Sequence, residues 1–521
     1  MNRPDMIRQL AAHTGDWDIC IIGGGATGLG AAVDAASRGF KTLLLEQFDF
    51  AKGTSSRSTK LVHGGVRYLQ QGNIKLVMEA LHERGLLKKN APHLVKNQSF
   101  IVPNYKWWEG PYYGIGLKVY DWMAGRLGLG ASQLLSAEET LALAPTLEAE
   151  GLRGSVLYYD GQFDDARLAI NLATTATEQG CTLLNYCRVY GLQKNDGRIS
   201  GLMIHDELED KTYAVNSRAV INATGIFTDD ILKMDNPASE PIIAPSQGVH
   251  IVLDKDFLPG DAAIMVPHTD DGRVLFAVPW HHKVIIGTTD TAIDQPTIEP
   301  RALPEEIAFI LLQIGRYLTK VPTDKDIRSI FAGLRPLVKS SGKKTAEMAR
   351  DHLIMVSDSG LVTITGGKWT TYRRMAEDVI NTVIKKTRLE NKPCVTSELR
   401  IHGALDDTNF NEPLYYHGTD IKPIREMIRR NPASGDKIHA RLPYLRAEIQ
   451  WAVRQEMCMT VEDALSRRTR SLLLDAAAAM EAAPVVADIM AVELNKDDAW
   501  KTAQVNYFRE IAGNYLPPAG K

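Results

Sequence analysis

The run Gly23-Gly24-Gly25-Ala26-Thr27-Gly28 constrains this chain more than any other. It follows the apolar strand-like run Asp18-Ile19-Cys20-Ile21-Ile22 and opens a helical run from Gly28 to Ser37. A second apolar run, Lys41 to Leu45, ends in Glu46, roughly twenty residues past the glycines. This order predicts a strand–turn–helix–strand unit that binds a dinucleotide. Glycines admit the pyrophosphate close to the backbone, the helix N-terminus supplies unpaired N–H groups, and Glu46 accepts from a ribose hydroxyl. The motif does not separate FAD from NAD, but an acid at position 46 would repel the extra phosphate of NADP.

With 521 residues the chain is long enough for two or three domains. A formal net charge of -3 gives no global positive field for nucleic acid. The five cysteines (Cys20, Cys181, Cys187, Cys394 and Cys458) form no CxxC pair and show no metal-ligand spacing, so they read as reduced thiols in a cytoplasmic protein. Met1 to Asp16, with Asp5 and Arg8, is not read as a signal peptide, and no run reaches the roughly 18 apolar residues of a membrane span. Neither HExxH nor GxSxG occurs, so no metal site is expected.

Apolar spacing predicts helices at Ile74–Leu87, Asp165–Gln179, Pro304–Leu318 and Thr371–Lys386, and short antiparallel strands between 240 and 295. Capping boxes stand at Ser136–Glu139 and at Thr460–Asp463, the latter before a helix from Ala464 to Leu474. Asn391-Lys392-Pro393 reads as a linker, and Arg467, Arg468 and Arg470 as a solvated helix face.

Residues 51 to 78 contain no Asp or Glu, yet carry Lys52, Arg57, Lys60, Arg67 and Lys75 among Ser55, Ser56, Ser58 and Thr59. Following the nucleotide unit directly, they are expected to wrap an anionic ligand with hydroxyl and guanidinium donors. Two further strand-to-glycine turns, Val220 to Gly225 and Thr363 to Lys368, suggest returns to one extended cofactor. The helix after the second could stabilise negative charge on a reduced flavin. His250 lies in a strand-like run, where a core role competes with a catalytic one; His63 sits beside Gly64 and Gly65; Arg335 is held extended by Pro336.

The segments IIGGGATGLG, GTSSRSTKLVHGGVRYLQ, INATG, QGVHIVL, FAGLRPLV, ARDH and ITGGKWTTYRR, in this order, make the chain resemble the FAD-dependent, quinone-linked glycerol-3-phosphate dehydrogenases. The resemblance implies an α/β fold. Its Rossmann-like FAD-binding domain would take residues 16–75, 155–240 and 355–388. An antiparallel-sheet substrate domain would take 76–154 and 241–354, and a helical C-terminal domain 395–521. It implies noncovalent FAD and oxidation of sn-glycerol 3-phosphate to dihydroxyacetone phosphate by hydride transfer to N5. Electrons would pass to ubiquinone or menaquinone through peripheral contact with the cytoplasmic face of the inner membrane. The oligomeric state stays open, a homodimer being one option. By match, Gly23, Gly25, Ala26, Thr27, Gly28, Glu46, Thr54, Ser55, Ser58, Thr59, Lys60, His63, Gly225, Gly366, Gly367 and Lys368 would hold FAD. Arg67, Tyr68, His250, Arg335, Arg350 and Lys368 would surround the substrate. His250 or His63 would be the base, and Arg335 would stabilise the alkoxide. Gln247 stands where the family commonly has Lys, which questions one phosphate donor, and Gly225 to Asp229 departs from the usual Gly-Pro-Trp-x-Asp.

Tyr105, Trp107, Trp108, Tyr112, Tyr113, Tyr120 and Trp122, with Lys106, Lys118 and Arg126, form either a membrane-interfacial patch or a buried aromatic cluster. A glycerol-3-phosphate oxidase that makes peroxide and an idle FAD-binding sensor are the rival readings.

Overall fold

A computed structural model describes residues 1–65, 73–339 and 352–518. The apolar runs at Ile19–Ile22 and Thr42–Leu45 form adjacent parallel strands, with Cys20 opposite Leu43. They belong to a six-stranded sheet ordered His352–Val356, Val362–Gly366, Val220–Asn222, Ile19–Ile22, Thr42–Leu45, Thr182–Leu184. Every pairing is parallel except that of His352–Val356 with its neighbour. Helices Ala26–Ser37, Asp165–Glu178 and Tyr372–Thr387 pack on one another beside this sheet. Strands Ile19–Ile22 and Thr42–Leu45 are buried along their whole length, so their side chains show no alternation.

The antiparallel strands expected between 240 and 295 join a larger, ten-stranded sheet that recruits Val95–Asn104 and Gly154–Phe163. It is mixed rather than purely antiparallel, because Ala263–Val266 runs parallel to Val95–Asn104. Ile243–Asp254 is its longest strand, pairing with Lys283–Gly287 and with Ser329–Val338, so that His250 faces Phe331 in register.

The C-terminal helices share one continuous apolar core with the six-stranded sheet; Leu473, Ala479 and Met490 join Ile21 and Leu44 in it. Both predicted capping boxes form. The single helix expected from Ala464 to Leu474 does not. Its first turn widens, with the Thr469 amide donating to the Ala464 carbonyl at 2.9 Å, and Arg470 takes a left-handed φ of 57°. The solvated arginine face is also corrected. Arg467, Arg468 and Arg470 are only 2%, 2% and 0% exposed. Arginine goes inside only when carboxylates meet it. Asp49 takes Arg467 and Arg468, and Asp164 takes Arg470.

Candidate functional site

The carboxyl ends of Ile19–Ile22, Thr42–Leu45 and Val220–Asn222 open onto one cavity of about 600 Å³, and the turn after Val362–Gly366 closes its side. This is where open α/β sheets bind ligands. Gly23, Gly25, Ala26, Thr27, Glu46, Thr54, Ser55, Ser58, Thr59, His63 and Gly225 line it, as do His250, Arg335, Gly366, Gly367 and Lys368. Segments far apart in sequence are thus brought together as expected. Arg67, Tyr68 and Arg350 lie outside the described residues.

At one end Glu46 accepts from the Gly24 amide at 2.7 Å through one oxygen and from the Phe48 amide at 2.8 Å through the other. Burial pushes its pKa up, and these two amides pull it back. Each oxygen keeps a lone pair, which suits a ribose hydroxyl. Helix Ala26–Ser37 starts at Gly25, and Ser55 Oγ takes the Ala26 amide at 2.9 Å. The next amides at this N-terminus suit a pyrophosphate. Gly28 is not in the cavity wall. A Cβ there would sit 1.9 Å from the Gly23 carbonyl oxygen, so its role is to let the glycine turn close on the helix.

The basic loop behaves otherwise than expected. Three of its described cations are paired with carboxylates. Lys52 pairs with Glu462 at 2.5 Å, Arg57 with Glu299 at 2.8 Å and Lys60 with Asp165 at 2.7 Å. Lys60 is fully buried and absent from the cavity wall, which corrects its placement against the cofactor. The loop lines the cavity with Thr54, Ser55, Ser58 and Thr59, and with Lys52 and Arg57, whose charges are already paired.

At the other end His250 is buried, stacked on Phe331 with centroids 4.7 Å apart, and shares a 2.8 Å hydrogen bond from Nε2 to Thr59 Oγ1. Burial first, then the positive Arg335 and Lys60, hold its pKa well below the ordinary histidine value. The Arg335 guanidinium donates to Thr288 Oγ1 at 3.1 Å and to the Thr289 carbonyl at 3.0 Å, and lies 3.7 Å from Asp290. It lies directly over Gly248, where a Cβ would come within 2.2 Å of a guanidinium nitrogen. Lys368 leads into the turn Trp369–Thr371 and helix Tyr372–Thr387. His63 also lines the cavity, and its carbonyl takes the Thr370 hydroxyl at 3.5 Å.

Gln247 turns the opposite way from Gly248 and His250. Its amide donates to Glu306 at 2.7 Å and to the Arg301 carbonyl at 2.9 Å. A lysine here would meet Glu306, not a bound phosphate, so this departure does not touch the site. Several wall residues carry no sequence motif: Gln47, Phe48, Val189 and Tyr190 beside Glu46.

Residues 18–373 match the family described as FAD dependent oxidoreductase. Residues 360–501 match the C-terminal domain of alpha-glycerophosphate oxidase. The chain is 41% identical to the mitochondrial glycerol-3-phosphate dehydrogenase of Macaca fascicularis, over 95% of this chain and 72% of that protein. It is 38% identical to that of Schizosaccharomyces pombe, over 95% and 87%. The glycerol-3-phosphate dehydrogenase of Bacillus halodurans, solved with FAD, superposes with a TM-score of 0.81 at 29% identity, covering 99% of this chain and 98% of that one. The glycine turn, the Glu46 acceptor and the strand-end cavity fit the cofactor in that family's name. The chain belongs to the FAD-dependent glycerol-3-phosphate dehydrogenase family.

Proposed function

We propose that this chain oxidises sn-glycerol 3-phosphate to dihydroxyacetone phosphate and delivers the electrons to a membrane quinone. The observation that carries the reading is that His250, Arg335 and Lys368 line the same cavity as the dinucleotide turn. Bound FAD supplies the hydride acceptor. The remaining chemistry belongs to side chains. His250 is neutral at pH 7 because burial disfavours its charged form, so it can take the proton of the substrate's C2 hydroxyl. A ring of such low basicity needs an acidified hydroxyl, and the Arg335 guanidinium lowers the cost of the developing alkoxide. Arg335 cannot itself be the base, since guanidinium pKa exceeds about 12. Its hydrogen bonds to Thr288 and Thr289 fix the charge before substrate arrives. Lys368 provides a second positive charge for the dianionic phosphate.

Access to quinone is supported by one helix. Among the described residues, no helix is long and apolar enough to cross a membrane. Helix Glu109–Ala124 instead carries an exposed stripe of Tyr112, Ile115, Val119 and Trp122 at spacings of one helical turn, continued by Trp107 and Trp108. Tyr113, Leu117 and Tyr120 are buried on its other face, so the aromatic segment is divided between core and surface. Lys106 and Lys118 flank the stripe in solvent. Apolar rings with flanking cations suit peripheral docking on an anionic leaflet, here the cytoplasmic face of the inner membrane.

The test is anaerobic addition of glycerol 3-phosphate to the FAD-loaded protein. Bleaching of the flavin band with formation of dihydroxyacetone phosphate is expected, followed by reoxidation by ubiquinone or menaquinone analogues. Absence of bleaching refutes the reading. Bleaching followed by rapid peroxide release without quinone reduction makes the protein an oxidase.

A further inference from the structure

We infer that the C-terminal turn 460–468 is a positioning element for the adenosine end of the cofactor site, acting through a buried ion cluster. Two segments flank Glu46 there. One is Gln47 and Phe48; the other is Arg188, Val189 and Tyr190. They are joined to each other, since the Cys187 amide donates to the Glu46 carbonyl at 2.8 Å and the Tyr186 amide to that of Phe48 at 2.9 Å.

Each segment is also tied to the same C-terminal turn by a residue just outside the cavity. Asp49 receives Arg467 Nε at 2.5 Å and Arg468 through both terminal nitrogens at 2.7 and 2.8 Å. Tyr186 donates its hydroxyl to Asp463 at 2.6 Å. Lys52, three residues beyond Asp49, is held by Glu462, and Glu462 in turn by Arg467 at 2.8 Å. Arg468 also reaches the Glu456 carbonyl at 2.8 Å, and Glu456 grips Arg167 at 2.7 Å.

The signs balance: Asp49, Glu456, Glu462 and Asp463 are matched by Lys52, Arg167, Arg467 and Arg468. All are shielded from solvent. The surrounding arginines hold the Asp49 carboxyl well below the usual carboxylate range, so it stays ionised. A cluster of this kind contributes little net stability compared with apolar packing, but it tolerates only one geometry. That geometry sets the spacing of the two wall segments and hence the place of Glu46. The widened turn at Ala464–Thr469 and the Thr460 cap bring Glu462, Asp463, Arg467 and Arg468 to bear on the same spot.

The inference rests on FAD binding and not on the substrate or the electron acceptor. It is tested by titrating FAD into apoprotein and following quenching of flavin fluorescence, with thermal unfolding of the apoprotein measured in parallel. Arg468→Lys keeps the charge but loses the two-pronged grip on Asp49, and FAD affinity is expected to fall about tenfold or more. Tyr186→Phe removes one hydrogen bond at the wall itself, and affinity is expected to fall about threefold to tenfold. Arg454→Gln breaks a surface pair with Glu493 in the same helical region and should leave affinity unchanged. Affinity within twofold of wild type in Tyr186→Phe and in any folded Arg468→Lys, whatever happens to the melting temperature, overturns the inference. Should Arg468→Lys fail to fold, Tyr186→Phe decides alone. Weakened FAD binding in these variants, together with a FAD-loaded wild type that glycerol 3-phosphate never bleaches, would refute the proposed activity and leave this inference standing.

Discussion

Lys60→Met breaks an ion pair that has no access to solvent. The ammonium donates to both Asp165 oxygens at 2.7 Å and to the Ser56 carbonyl at 2.6 Å. Methionine nearly fills the same slot between Trp280 and Phe331, so the loss is electrostatic and leaves little cavity. An uncompensated buried carboxylate costs about 3–5 kcal/mol. The pair itself contributes far less than that. Burial drives the Lys60 pKa down and the Asp165 pKa up, against the mutual attraction that follows it in size. A lysine held below its unfolded pKa gains stability only above the ordinary lysine range, and loses it as pH falls. An aspartate held above its unfolded pKa gains stability only below the ordinary aspartate range, and loses it as pH rises. At pH 7 both shifts therefore work against the fold. Neutralising both partners should accordingly recover most of what the single change loses. In Lys60→Met/Asp165→Asn the amide oxygen can still accept from the Ala166 amide, and the NH2 that replaces the other oxygen can donate to the Ser58 hydroxyl, leaving only the Ser58 amide without its acceptor, so the double variant should lose about 2 kcal/mol, less than the single one. The assay is guanidinium unfolding of apoprotein at pH 7, with unfolding rates replacing midpoints if refolding fails. A double variant as unstable as the single one, or a single one as stable as wild type, would refute this reasoning.

Arg335→Met should retain FAD but lower kcat/KM for glycerol 3-phosphate by about 10² to 10³, the loss expected for one preorganised charge donor. A rise in KM alone would instead make it a ground-state phosphate binder. Because His250 stays neutral, the rate of anaerobic flavin reduction should be level from about pH 6.5 to 8, and an acid limb centred at the ordinary histidine pKa of about 6.5 would remove His250 as base. The same depressed pKa adds stability that is present above the unfolded value and lost as pH falls below it, a loss absent in His250→Asn. Trp107 and Trp122 are 77% and 82% exposed, so Trp107→Glu/Trp122→Glu should leave unfolding unchanged to within about 0.5 kcal/mol. Its binding to vesicles containing anionic lipid, read by sedimentation, should fall at least about tenfold; unchanged partitioning would exclude this helix as the docking face.

The parts legible in the sequence are those whose causes are local. A strand, a glycine turn, a helix and an acid occupy adjacent stretches, and their chemistry follows from spacing alone. The same holds for the capping boxes, because both partners lie within one turn. The loop cations were misread because their partners are remote: Glu462 lies 410 positions from Lys52, and Asp165 lies 105 from Lys60. Nothing within residues 51 to 78 reveals that these charges are already neutralised. Arg467 and Arg468 fail in the same way, since Asp49 stands more than four hundred residues before them. Strand alternation does carry information on this point. Gln247 must face away if Gly248 and His250 line the cavity, and its partner Glu306 bears that out. Position relative to the sheet is therefore a better guide to a ligand-facing cation than local charge density. Lys368 lies two residues past the strand Val362–Gly366, and Arg335 pairs across to Ser246, two residues before Gly248. Lys52 and Lys60, in a loop packed between the sheets and the C-terminal helices, hold the frame on which that site is built.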